Sequence, residues 1–311
     1  MPGKEDTSGA SNRGLPSGIF AAALTPLTDN LKIDHEGLLE HCRWLLTRGC
    51  DGVCLFGTTG EAASFTVDER TRALEAVIRG GFPPERLLVG TGCCAVPDTV
   101  ALTKHATENG AGGVLVLPPF YYKGVSDDGI VEAHRQVLEQ IADPRLNVYL
   151  YHYPYMSGVR LSRDVISRLT AGYPGVVVGI KDSSGDFKNF EIIRDSFPGL
   201  RSFPGTETLL LDGLNVGAAG CISATINVTS PLAAEVYNAR GTDDAVVLQK
   251  KLTSIRRAFD RFPLIGALKH VMSEHTGRDR WRNVRPPLRP LKREDAVRLE
   301  AELESLGFDM G

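Results

Sequence analysis

From Gly18 onward, short runs of apolar and β-branched residues are each followed by an amphipathic segment. The runs are Ile19–Thr25, Gly52–Gly57, Arg86–Thr91, Gly113–Pro118, Asn147–Tyr153, Val176–Lys181, Arg201–Gly205 and Gly220–Thr225. They are continuous in hydrophobicity rather than alternating, which predicts strands buried on both faces. Helix patterns lie between them. Asp34–Leu46 opens on an Asp N-cap, Thr66–Ile78 on Thr with Glu69 at the capping-box spacing, and Ser162–Leu169 on Ser. Eight βα units within roughly 220 residues predict a parallel (β/α)8 TIM barrel. A doubly wound open sheet is the alternative, although it more often uses five or six strands. After Ser230 the pattern is helical only, near Asp244–Phe259, Ile265–His275 and Arg293–Leu306. The predicted organisation is a flexible tail (1–16), a barrel (17–240) and a C-terminal helical extension packed on it (241–311).

Composition narrows the function classes. The 311 residues are 42% hydrophobic and 23% charged, as in ordinary globular chains, with a formal net charge of -3. No basic excess exists to neutralise phosphates, so nucleic acid is not an expected partner. Apolar stretches such as Gly112–Phe120 fall short of the roughly 20 residues of a membrane helix. The tail is rich in small and polar residues and has no apolar centre of the kind a secretory signal needs. A cytoplasmic location is expected. The cysteines form no CxxC pair, and His270 and His275 stand five apart, off the spacing of an HExxH motif. Buried thiols in a reducing compartment are the expectation, with no metal and no cofactor.

Barrels of this kind do their chemistry at the C-terminal ends of their strands. Lys181 closes the apolar run Val176-Val-Val-Gly-Ile-Lys181. An ammonium taken from water into a barrel mouth loses hydration, which favours the neutral, nucleophilic amine that Schiff-base chemistry requires. The competing reading is a lysine snorkelling from the strand end and paired with Asp182. Gly57-Thr-Thr-Gly-Glu61 follows the second run and offers hydroxyls and free backbone N–H groups to a small carboxylate, or is simply a good turn. Taken alone, Tyr151 reads better as a core aromatic with a satisfied hydroxyl than as a proton relay, and Tyr121 and Tyr122 read equally as an interface pair. Gly217-Ala-Ala-Gly220 raises a phosphate-binding barrel enzyme, but reads better as the turn before the eighth strand.

Taken together, Ala23-Leu-Thr-Pro26, Gly57-Thr-Thr-Gly-Glu61, Pro119-Phe-Tyr-Tyr122, Tyr151-His-Tyr-Pro154, Gly179-Ile-Lys-Asp182, Gly220-Cys-Ile-Ser223 and Val284-Arg-Pro-Pro-Leu288 resemble a known family. It is the pyruvate-dependent class I aldolase family containing dihydrodipicolinate synthase and N-acetylneuraminate lyase. The likeness runs from about Gly18 to Leu306. It implies Lys181 as the Schiff-base lysine, Tyr151 as the proton shuttle oriented by the catalytic Thr58, and Thr58 and Thr59 as the holders of the pyruvate carboxylate. It also implies Ile222 as the residue whose carbonyl faces pyruvate. Tyr121, or Tyr122 one position on, would reach into a neighbouring subunit's site. Homotetramers built as dimers of dimers are implied too.

The chain departs from both named enzymes around the acceptor. Met156 stands where dihydrodipicolinate synthases carry a carboxylate-gripping arginine, and a thioether forms no such bidentate pair. Where neuraminate lyases carry an acidic pair and a serine, this chain has Glu207, Thr208 and Ala224, and His152 replaces a usual Asn. With Glu207 expected to bind substrate and to repel anions, the expected activity is a lyase or aldolase acting on a 2-keto-3-deoxy acid and a neutral hydroxyaldehyde. Condensation of pyruvate with aspartate semialdehyde is the alternative, with Arg160 as the first replacement cation. A related dehydratase and a non-catalytic keto-acid sensor also remain.

Overall fold

Eight apolar runs become eight strands in a computed structural model that describes residues 14–310. They are β1 (Gly18–Ala22), β2 (Gly52–Leu55), β3 (Leu87–Gly90), β4 (Gly113–Val116), β5 (Val148–His152), β6 (Val177–Asp182), β7 (Arg201–Pro204) and β8 (Gly220–Ser223). All pairings are parallel, in the order β7-β6-β5-β4-β3-β2-β1-β8. The seam between β7 and β8 is drawn together by Ala219 N, which donates to Ser202 O at 2.9 Å. The result is a (β/α)8 barrel.

Each continuous run divides its side chains between two cores by strand alternation. Phe20, Cys54, Leu88, Leu115, Tyr149, Phe203 and Ile222 fill the barrel interior. Their neighbours Ile19, Ala21, Val53, Leu87, Val89, Val114 and Val148 face the helices. Inside, the fully buried Tyr149 meets Phe203 edge-on at 6.0 Å between ring centroids. The ring fits because Gly179 lacks a side chain: a Cβ there would lie 2.3 Å from Tyr149 Cδ1.

The helices that follow the strands are α1 (His35–Thr47), α2 (Val67–Arg79), α3 (Val96–Glu108), α4 (Asp127–Ile141), the single turn α5 (Pro154–Ser157), α6 (Arg163–Gly172), α7 (Phe187–Ser196), the short α8 (Leu210–Asn215) and α9 (Ile226–Asn238). The three predicted N-caps are in place. Asp34 accepts from Gly37 N, Ser162 from Val165 N, and Thr66 and Glu69 form a full capping box. Seven of the eight predicted strands overran at their C-terminal ends, the sixth being the exception. Ala23, Leu24 and Thr25 stay buried, but β1 ends at Ala22 because Leu24 N donates to Asn227 Oδ1 rather than to a strand.

Beyond the barrel follow α10 (Asp243–Phe259), α11 (Leu264–Thr276) and α12 (Arg293–Ser305). Val228 of α9, Ile255, Phe259, Leu268, Met272, Trp281, Leu299 and Leu303 form a second core that fastens these helices to the barrel. Among the described residues no helix is long and apolar enough to cross a membrane. Cys42, Cys50, Cys54 and Cys221 are buried free thiols as expected, and burial pushes Cys42 and Cys50 up to about 12. The expectation of burial fails for Cys93, which is half-buried, and for Cys94, which is exposed at the start of the segment leading to α3. Residues 1–13 of the expected tail lie outside the described residues.

Candidate active site

A cavity of about 590 Å³ opens at the C-terminal ends of the strands. Lys181, Tyr151, Thr58 and Thr59 lie on its wall. Lys181 reaches it through an irregularity in its strand. Val148 pairs with Val177 and Tyr149 with Gly179, so Val178 is left unpaired as a bulge. The extra residue shifts the phase of alternation, and both Val178 and Lys181 point inward. Lys181 is 4% exposed, sits opposite Tyr151 in register, and places its Nζ 4.6 Å from the centroid of the Tyr151 ring.

The competing pairing with Asp182 does not form. Asp182 points the other way, where Oδ1 accepts from Ser184 N at 2.7 Å and Oδ2 from Asn189 Nδ2 at 2.9 Å. Below the lysine, burial pushes the Cys54 thiol up to about 11, which leaves it inert at neutral pH. His152 is buried and its Nδ1 accepts from Leu161 N, so it braces the chain after α5 rather than lining the cavity. Burial holds its imidazole below its ordinary pKa, against the pull of Asp182.

The Thr58–Thr59 turn is built from several directions. Glu61 N donates to Thr58 O, Ala62 N to Gly57 O, and Thr25 Oγ1 to Gly60 O at 2.8 Å. Gly60 is required there, since a Cβ would come within 2.8 Å of Ala23 O. Glu61 adopts the left-handed conformation (φ 58°) and sends its carboxylate into the protein. There it pairs with the fully buried Lys269 of α11 and accepts from Arg285 N at 2.9 Å. Arg285 also bonds Glu69 through Nη1 at 2.9 Å and stacks on Phe65. The C-terminal segment thus clamps the turn, which gives the Val284-Arg-Pro-Pro-Leu288 motif a structural role.

The remaining predicted residues divide. Ile222 is fully buried in the barrel interior, and at the end of β8 it is Ala224 that reaches the wall. Met156 and Thr208 line the cavity. Tyr121 and Tyr122 do not; they are 74% and 73% exposed and meet each other edge-on. Glu207 also stays off the wall. It is fully buried, accepts from Ser223 Oγ, and has Arg256 Nη1 at 3.3 Å. Arg160 is exposed and away from the wall. The cations that do line the cavity are Arg256 at the end of α10 and Arg289 before α12, with Asp260 beside Arg256. Sequence reasoning missed all three. Arg256 and Asp260 stand four apart, a spacing shared by countless solvent-facing ion pairs, and the helix's packing alone reveals which way they face.

Among the described residues one grouping has metal-ligand character, His270 with Glu274 and Glu300. Its members are already partnered, since His270 Nε2 bonds Glu300 at 2.7 Å while Arg282 bonds Glu274 and approaches His270 Nδ1 at 3.5 Å, and none of the three lines the cavity.

Comparison with known proteins gives the same answer along nearly the whole chain. Residues 15–306 match the model of the dihydrodipicolinate synthetase family. An uncharacterized DapA-like lyase of Chloroflexus aurantiacus is 36% identical over 94% of this chain and 97% of its own. Dihydrodipicolinate synthase from Agrobacterium tumefaciens superposes with a TM-score of 0.87 at 31% identity, covering 94% of this chain and 99% of that one. The Acinetobacter baumannii enzyme of the same name, crystallised with pyruvate, gives 0.85 at 27% identity, covering 94% and 99%. The chain belongs to the dihydrodipicolinate synthetase family, whose members are lyases of the class I, pyruvate-dependent type.

Proposed function

We propose that this lyase forms and cleaves 2-keto-3-deoxy acids through a Schiff base on Lys181, with pyruvate and a neutral hydroxyaldehyde as the two halves. The observation that carries the reading is a lysine buried to 4% exposure on a cavity wall, in register with Tyr151 and beside a hydroxyl-bearing turn. The Lys181 amine attacks the C2 ketone, and water leaves to give a protonated imine. In cleavage Tyr151 takes the proton from the C4 hydroxyl as the C3–C4 bond breaks, and the electron pair is held as an enamine. Protonation at C3 and hydrolysis return pyruvate and the free lysine. Thr58 and Thr59 hold the carboxylate with hydroxyl and backbone N–H donors, and the Ile222 carbonyl faces the bound keto acid. Support for pyruvate comes from the Acinetobacter baumannii relative, crystallised with it.

The same reading takes the exposed Tyr121–Tyr122 pair as a contact between copies in a homotetramer working in the cytoplasm, where Tyr121 completes a neighbour's proton relay. No step calls for a metal or organic cofactor. For the acceptor, Met156 on the wall supplies no cation, the Arg256 charge is matched by Glu207 and Asp260, and Arg289, the other arginine on the wall, is an exposed side chain whose pull on an anion is screened by water. A charge-assisted pair is worth about 1.5–3 kcal/mol, roughly ten- to more than a hundredfold in selectivity. Neutral hydroxyaldehydes are therefore expected to show the higher kcat/KM, and Met156→Arg to shift the preference toward aspartate semialdehyde. A wild type that condenses aspartate semialdehyde as efficiently as any neutral aldehyde overturns the substrate assignment. One that binds keto acid without turning over any aldehyde is a sensor.

A further inference from the structure

The last turn of α10 and the residue that caps it set Arg256 and Asp260 on the cavity wall. Arg256 is held from two sides. Its Nε donates to Asp260 Oδ1 at 2.8 Å, while Nη1 lies 3.2 Å from Ser223 Oγ and 3.3 Å from Glu207 Oε2. Glu207 is wholly out of water, and its second oxygen, Oε1, has no hydrogen-bond partner among the described residues. A buried carboxylate is costly unless a counter-charge stands beside it, and the cation beside Glu207 is Arg256. Burial works against the arginine's charge, but the two carboxylates outweigh it and lift its pKa above the ordinary guanidinium value. The guanidinium is thus fixed as a cation in one orientation, with no net positive charge left over for an anion.

We propose that Arg256 and Asp260 read a pair of adjacent hydroxyls on the aldehyde half of the substrate, with Glu207 as the residue that positions Arg256. Two features carry this. First, a fixed donor and a partly exposed acceptor stand side by side on the wall, and a vicinal diol needs one of each: one hydroxyl accepts from the guanidinium while the other donates to the carboxylate. Second, Asp260 and the buried Glu207 flank the guanidinium, so a carboxylate or phosphate at the same place meets two like charges for one opposite. Glu207 then acts on the substrate only through Arg256. Its fully buried side chain also accounts for an acidic residue at this position that makes no contact with the cavity.

The inference rests on the hydroxyaldehyde reading above, and its test separates the two. Glyceraldehyde and propionaldehyde have the same carbon chain but differ in their hydroxyls, so their ratio of kcat/KM with pyruvate isolates the diol contact. The wild type is expected to favour glyceraldehyde. Asp260→Asn, a change at a half-exposed site, and the double variant Arg256→Met with Glu207→Gln, which leaves no buried charge unpaired, should each lower that ratio by roughly ten- to a hundredfold. Glu207→Gln alone should raise KM for glyceraldehyde more than it lowers kcat, since the loss falls on binding a diol. Three results overturn the inference: a wild type indifferent to the two aldehydes, a ratio unchanged in Asp260→Asn and in the double variant, or a Glu207→Gln that depresses kcat for both aldehydes alike. Failure of the wild type to form an imine with pyruvate would sink the Schiff-base reading instead.

Discussion

Deleting the Tyr151 hydroxyl leaves the ring that packs beside Tyr153 and Lys181, so Tyr151→Phe separates chemistry from packing. General acid–base groups contribute about 10²–10⁴-fold, and kcat for this variant should fall by about that factor with an unchanged melting temperature. Retention of more than half the wild-type rate would make Tyr151 a core aromatic. At this scale the place of Lys181, Thr58 and Thr59 on the cavity wall was legible because a lysine ending a buried strand and a hydroxyl-rich turn after one are local signals. Glu207 was visible as a residue type but not in its surroundings. Its neighbours Ser223 and Arg256 come from 16 and 49 positions away, and no local pattern announces that a carboxylate will be screened by a distant guanidinium.

Among elements, the turn after β2 is held by contacts from the far end of the chain. Arg285 ties Glu69, the capping-box residue of α2, and holds its carboxyl at about 2, well below its ordinary 4.5, chiefly by direct hydrogen bonding. A depressed carboxyl pKa stabilises the fold above pH 4.5 and is lost as pH falls toward about 2. Glu69→Gln keeps a capping-box side chain but removes the charge. It should cost about 1–2 kcal/mol at neutral pH, part of the pair's strength being screened by solvent. Urea denaturation of both proteins from neutral to about pH 3 checks the sign: the gap should narrow as pH falls. A gap independent of pH would show that shape rather than charge is what Arg285 recognises. The β6 bulge belongs to this scale as well. Reading Val176–Lys181 as one continuous run placed the strand correctly, yet continuity hides an unpaired Val178, because both phases of the alternation are apolar.

For the molecule as a whole, the barrel was legible for a physical reason. Parallel strands covered on both faces must be apolar throughout, and eight such runs with capped helices between them leave few other architectures. The C-terminal helices were placed along the chain but not in space. Their amphipathic patterns mark an apolar side that packs on α9 and say nothing of which polar side overhangs the cavity. That is why the wall contributed by α10 came into view only with the fold. The assembly is the remaining level, since Tyr121 and Tyr122 stand exposed on the single chain.

The claim on which all of this depends is an imine at one lysine. Incubating the 311-residue protein with pyruvate and borohydride, then mapping peptides by mass spectrometry, tests it directly. The account predicts a single reduced pyruvyl adduct, on Lys181, absent without pyruvate and absent in Lys181→Ala. An adduct on any other lysine, or none under saturating pyruvate, would contradict it.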